Sequence, residues 1–161
     1  MATPALTDNV RIEPGTLDDI DAVMRVMQAA FGTRFGEAWT RSQLSGILPM
    51  NGVFVMLACE GQAGATIGFS LFRTVADESE LLLIAVLPDH HRRGVGRLLL
   101  ENFVAHAREA QLGRVHLEVR DGNPAVAMYQ AAGFAPVGRR SDYYQAPGGK
   151  RFDAITLALE L

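Results

Sequence analysis

The segment Glu80–Leu87 constrains this chain more than any other. It is apolar at odd and even positions alike, so it is predicted to be a central strand covered on both faces. Pro88 closes it, and a basic loop, His90-His91-Arg92-Arg93-Gly94-Val95-Gly96, leads into a long helix ending near Gly113. Val95, Leu98, Leu99, Phe103 and Ala107 form the buried stripe of that helix, with Arg97, Glu101, Arg108 and Glu109 facing water. A buried strand, a glycine turn and an amphipathic helix in succession require a sheet with helices packed on it.

The flanking segments extend this plan. Val10–Ile12 is a short strand. Thr16 with Asp19, and Thr40 with Gln43, have the spacing of capping boxes for two helices, which end at Gly32 and Pro49. Val53–Glu60 and Ala65–Val75 read as a hairpin. Val115, Leu117 and Val119 alternate with His116, Glu118 and Arg120, a strand with one polar face. Asn123 and Pro124 open a short helix over Pro124–Ala132, stopped by Gly133. Phe134–Arg139 and Phe152–Leu159 are the last strands, with Tyr143–Lys150 as their loop. The order β-α-α-β-β-β-α-β-α-β-β predicts an α/β fold: a mixed sheet of seven strands with four helices on its two faces.

At 161 residues the chain fits one domain, with residues 1–8 expected to be a flexible lead. The net charge of −3 gives no bulk attraction to nucleic acid or to an anionic membrane. The apolar runs Val53–Cys59 and Leu81–Leu87 are far shorter than the roughly 20 residues of a membrane helix. The start shows no signal-peptide pattern, so a cytoplasmic protein is expected. Cys59, the single cysteine, is expected in the core. His90, His91, His106 and His116 lack metal-ligand spacing, so no metal site is expected.

The chemistry concentrates at Arg92–Gly96. Glycines at a helix start let the backbone approach a ligand, and free N–H groups with the helix dipole bind phosphate oxygens. A dinucleotide fingerprint would need glycine where Leu99 stands, and no Gly-Lys-Ser/Thr triplet makes a P-loop. By itself the turn could equally be a structural one needing positive φ.

The run from Leu83 through Leu99 closely resembles the acetyl-CoA motif of the GNAT acetyltransferases. Leu117-Glu118-Val119-Arg120 through Asn123, then Tyr129-Gln130-Ala131-Ala132-Gly133-Phe134, is similar to that family's second half. Within the family, Leu117–Arg120, Arg139-Arg140 followed by Tyr143-Tyr144, and the ending Asp153-Ala154-Ile155 resemble the ribosomal-protein-alanine acetyltransferases. The resemblance implies a mostly antiparallel sheet splayed between its fourth and fifth strands, with acetyl-CoA as co-substrate. The diphosphate would rest on His91, Arg92, Arg93, Gly94, Val95, Gly96 and Arg97, with Asn123 a further contact. The pantetheine arm would pair with Ile84, Ala85 and Val86. Glu118 would be the general base, with Glu80 ranked second, and Tyr129 the general acid. For Glu118 and Tyr129, a solvent-facing glutamate and a core tyrosine are the ordinary alternatives. Phe35, Trp39, Tyr143 and Tyr144 would wall the acceptor site.

The implied reaction is acetyl transfer to an amine, preferably a protein N-terminus such as that of a ribosomal protein, by a monomer or homodimer. A small-molecule amine acetyltransferase and a non-catalytic CoA-binding sensor are the alternatives.

Overall fold

The computed structural model describes residues 8–32 and 34–161; most of the expected flexible lead lies outside the described residues. Seven strands form one sheet: β1 (Val10–Pro14), β2 (Val53–Glu60), β3 (Ala65–Val75), β4 (Glu78–Val86), β5 (Arg114–Arg120), β6 (Ala135–Gln145) and β7 (Arg151–Glu160). Their spatial order is β1-β2-β3-β4-β5-β7-β6. Only β4 and β5 pair in parallel; the other neighbours are antiparallel. Four α-helices accompany them: α1 (Ile20–Phe31), α2 (Arg41–Ile47), α3 (Val95–Glu109) and α4 (Val126–Ala131). Both expected capping boxes form. Thr16 and Asp19 cap a 3₁₀ turn, Leu17–Asp19, that precedes α1, and Thr40 and Gln43 cap α2.

Two apolar layers cover the sheet. On one face, Val23, Met24, Val26 and Met27 of α1 and Leu44 of α2 pack on Val55, Leu57, Phe69, Leu71, Leu83 and Ala85. On the other, Leu100, Phe103 and Ala107 of α3 meet Phe72, Leu81, Val115, Leu117 and Leu157. Side chains of this size contribute roughly 1.5–3 kcal/mol each when fully buried. In α3 the stripe includes Leu100, whereas Leu98 is only half-buried.

Leu81 and Leu83 lie two apart in one strand yet pack on opposite faces. The cause is a bulge: Leu71 is opposite Leu83 and Phe72 is opposite Leu81, so Leu82 has no partner in β3. An extra residue inverts the pleat beyond it and strengthens the local twist. At the same point β4 and β5 part, since their pairing runs only from Glu78↔Arg114 to Leu81↔Leu117. The expected splay is therefore present, and it opens a cleft between Leu82–Val86 and Glu118–Arg120.

Three boundary shifts bear on the site. β4 is shifted to Glu78–Val86. α4 starts only at Val126: Asn123 Oδ1 accepts from the Ala125 N–H at 2.9 Å, and the Asn123 carbonyl accepts from the Val126 N–H at 3.1 Å, so the chain enters the helix through a tight turn. β6 continues through Gln145, so Tyr143 and Tyr144 are strand residues rather than loop residues. Its ladder is broken between Arg140↔Ala154 and Tyr144↔Phe152. Asp142 sits in that irregularity at φ +55°, with its N–H donated to Asp153 Oδ1 at 3.0 Å. A bulge of this kind leaves no period-2 signature, which is why the strand was not legible.

Candidate active site

The splay opens into a cleft of about 790 Å³ lined by both separated strands, the start of α3, α4, the α1–α2 link and the end of β6. Ile84, Ala85 and Val86 form one wall. Beyond Leu81 the β4 edge facing β5 has no strand partner among the described residues, so its ladder groups are available to an extended ligand. Val86 is an exception at its carbonyl, which accepts from His91 Nε2 at 2.9 Å. That contact turns the His91 ring back toward the strand.

The α3 start is a backbone construction. Arg92 (φ +61°) and Gly94 (φ +82°) both adopt left-handed backbone, and the N-cap, Gly94, offers no side chain to cap the helix. Alternation of this kind turns successive N–H groups toward one side and makes an anion-binding concavity. A Cβ at Gly96 would lie 3.4 Å from the Met128 sulfur, an ordinary contact with the end of a flexible side chain, so packing alone does not demand the second glycine. Arg92, Gly94, Val95, Gly96 and Arg97 line the cleft. Arg93 does not. Its Nη2 donates to Glu60 Oε1 at 2.6 Å, which carries the guanidinium to the end of β2.

Glu118 lies on the opposite wall, its side chain 9% exposed. Thr156, its neighbour across the β5–β7 ladder, donates Oγ1 to Glu118 Oε2 at 2.7 Å. Arg140 Nε lies 3.1 Å from Oε1. The carboxylate is therefore oriented by a hydroxyl and a guanidinium that are brought to it by two different strands. Glu80 also lines the cleft but is tied to Arg73 at 3.1 Å, on the far side of the point where β4 and β5 part.

Tyr129 is 5% exposed, packs edge-on to Phe134 at 6.2 Å and still contributes to the cleft lining. Burial, with Glu37 nearby, pushes its phenol pKa well above the ordinary tyrosine value. It is thus both a core residue and a cleft residue. Asn123 lines the cleft with its polar atoms already engaged: Oδ1 by Ala125, and Nδ2 as a donor to Glu37 Oε2 at 3.1 Å.

The α1–α2 link makes the roof. Phe35 and Trp39 both line the cleft. Phe35 lies edge-on to Phe152 at 5.2 Å, and the Arg120 guanidinium covers its ring at 3.6 Å. Arg120 was expected on the wet face of its strand. It is instead buried, its Nε 3.3 Å from Glu37 Oε1, because the link folds over it. Tyr143 and Tyr144 meet edge-on at 4.9 Å, and the Tyr144 hydroxyl donates to the Glu118 carbonyl oxygen at 3.3 Å. Burial raises the pKa of both phenols, and Glu118 adds to the effect on each.

The sequence reading missed Glu37 and Thr156. No local pattern marks Glu37, since its partners Arg120 and Asn123 are more than 80 residues away. Thr156 carries the signal of a polar residue in an apolar strand, but its role depends on strand order.

Comparison with known proteins then decides the family. The model of the acetyltransferase (GNAT) family matches residues 20–134, from the first residue of α1 to the end of the α4 segment. The chain belongs to the GNAT acetyltransferase family. Over 95 residues this GNAT chain is 39% identical to the ribosomal protein bS18-alanine N-acetyltransferase of Haemophilus influenzae, a match spanning 59% of this chain and 65% of that relative. Its counterpart in Escherichia coli is 38% identical over 101 residues, 62% of this chain and 68% of the relative. The chain thus spans about two thirds of the curated relatives it matches at this level. The crystal structure of the Escherichia coli ribosomal-protein-S18-alanine N-acetyltransferase superimposes with a TM-score of 0.83 at 30% identity, covering 94% of this chain and 93% of that one. The splayed GNAT sheet is therefore shared along nearly the whole chain.

Proposed function

We propose that this chain moves the acetyl group of acetyl-CoA onto the α-amine of a protein N-terminus, with an alanine-first ribosomal protein as the preferred acceptor. The observation that carries this reading is convergence: the glycine turn before α3, the open edge of β4, Glu118 and Tyr129 all line one cleft. The names of the relatives supply the preferred acceptor.

Acetyl-CoA would bring the thioester and a diphosphate. The amides of residues 93–96 would hold the diphosphate, with Arg92 and Arg97 as nearby guanidiniums. An amide of Ile84–Val86 would polarise the acyl carbonyl. Glu118, held by Thr156 and Arg140, would take the acceptor's proton directly or through water. An α-amine has a pKa of about 7.7–8.0 against about 10.4 for lysine, so roughly a tenth of α-amines are already neutral at pH 7. A carboxylate then suffices as base. Tyr129, whose burial holds its proton on the phenol, would donate toward the leaving sulfur. No residue need carry the acyl group, and attack is direct. Phe35, Trp39, Tyr143 and Tyr144 would hold the first residues of the acceptor. The reading implies a cytoplasmic setting, a monomer or homodimer, and no direct nucleic-acid or membrane partner.

The three carboxylates in the cleft lining, Glu37, Glu80 and Glu118, are each paired with a guanidinium, and a small-molecule amine is the rival acceptor because the proposed cofactor wall would serve either. Thiol release from acetyl-CoA should be rapid with an alanine-first peptide and slow with the same peptide blocked at its N-terminus but carrying lysine. Equal release from both, or release only with small amines, overturns the N-terminal acceptor.

A further inference from the structure

Glu60 ends β2, outside the cleft lining, yet its two carboxylate oxygens are engaged by the loop that leads into α3. Oε2 accepts from His90 Nε2 at 2.8 Å and Oε1 from Arg93 Nη2 at 2.6 Å. All three side chains are largely buried, with 20–29% of each exposed. His90 Nδ1 is buried without a hydrogen-bond partner among the described residues, so Glu60 is the ring's only polar anchor there. Between the two anchored residues lie His91, tied to the Val86 carbonyl, and Arg92 in left-handed backbone. Non-glycine residues occupy that region at a cost, and they persist only where their surroundings hold them. Gly94, also left-handed, follows directly.

We propose that Glu60 is a positioning residue for acetyl-CoA binding. It clasps His90 and Arg93, holds residues 90–94 in the conformation that aims their amides into the cleft, and so makes the Arg93 side chain act through Glu60. The Arg93 and His90 contacts, in that order, hold the Glu60 carboxyl below the usual carboxylate range. The proposal rests on the reading of this turn as the diphosphate cradle. It assigns the neighbouring arginines different work: Arg92 and Arg97 border the cleft, whereas Arg93 is a strut.

The test is a cycle of Glu60→Gln, Arg93→Met and the double variant, each assayed for CoA binding by calorimetry and for KM and kcat. Glu60→Gln should weaken CoA binding and raise the acetyl-CoA KM about tenfold, the loss expected from a hydrogen bond between charged groups. The kcat and the acceptor KM should hold, a split that general destabilisation would not produce. Arg93→Met should do the same, and the double variant should be no worse than either single one. Unchanged CoA binding in Glu60→Gln overturns the clasp. Additive losses overturn it too, by showing that Arg93 supports binding by a route other than Glu60. If the parent protein binds no CoA, the cradle reading itself has failed, a result distinct from either.

Discussion

The two walls of the cleft are built by different means. The wall proposed for the cofactor is the tail of β4, the glycine turn and the start of α3, one stretch of chain that would recognise its ligand mostly through backbone amides. The wall proposed for the acceptor is assembled from the α1–α2 link, the end of β5 and the bulged half of β6. Its parts meet through side chains: Phe35 under Arg120, Glu37 with Arg120 and Asn123, and Arg140 with Glu118. A backbone site depends on local conformation and tolerates exchange of its side chains. A side-chain site depends on every partner being present, and removing one leaves another buried without compensation. The first suits a co-substrate common to a family, and the second suits an acceptor that varies within it.

The contrast predicts a graded series of effects. Glu118→Gln should lower kcat by about 10²–10⁴-fold, the span of general-base contributions, while CoA binding on the opposite wall stays intact. A joint loss of both would merge the two walls into one unit. Arg120→Leu removes one partner of a pair whose side chains are 9% and 11% exposed. Leaving Glu37 uncompensated should cost about 3–5 kcal/mol, read by calorimetry as a fall in melting temperature of about 10 °C. Gly94→Val, at φ +82°, should cost only about 1–2 kcal/mol in stability yet weaken CoA binding more than acceptor binding.

The spectroscopic prediction is smaller. The single tryptophan, Trp39, and all three tyrosines line the cleft, so ultraviolet spectra report on the site alone. Because all three phenol pKa values are raised, tyrosinate absorbance should appear only above about pH 10. Acceptor peptide should perturb Trp39 fluorescence more than CoA does.

The smallest effect is at the β6 bulge. The Asp153 carboxyl is held below its usual range by the Asp142 N–H and then by Arg139. Its folded pKa therefore lies below its unfolded value. The stabilisation is present above about pH 4 and is lost as pH falls through the folded value. Asp153→Asn should flatten that part of the acid-unfolding curve and leave the neutral rate unchanged.

These differences also govern what could be read in advance. Thr16, Thr40, the β2–β3 hairpin and the α3 stripe involve partners a few residues apart or one repeating period, and all are present with small shifts of boundary. The Leu82 bulge, the long β6 and the burial of Arg120 depend on contacts between distant segments. Arg93 shows the limit within a motif: its place in the turn was legible, but its side chain's direction was not, because Glu60 lies 33 residues upstream.

Taken alone, the order of residues determined the elements, the family and the glycine turn, since period, capping and backbone permissiveness are local properties of a chain. Tertiary structure decided which side chains face the cleft and what holds them there. Those outcomes depend on strand order and on desolvation, and neither exists until distant segments meet.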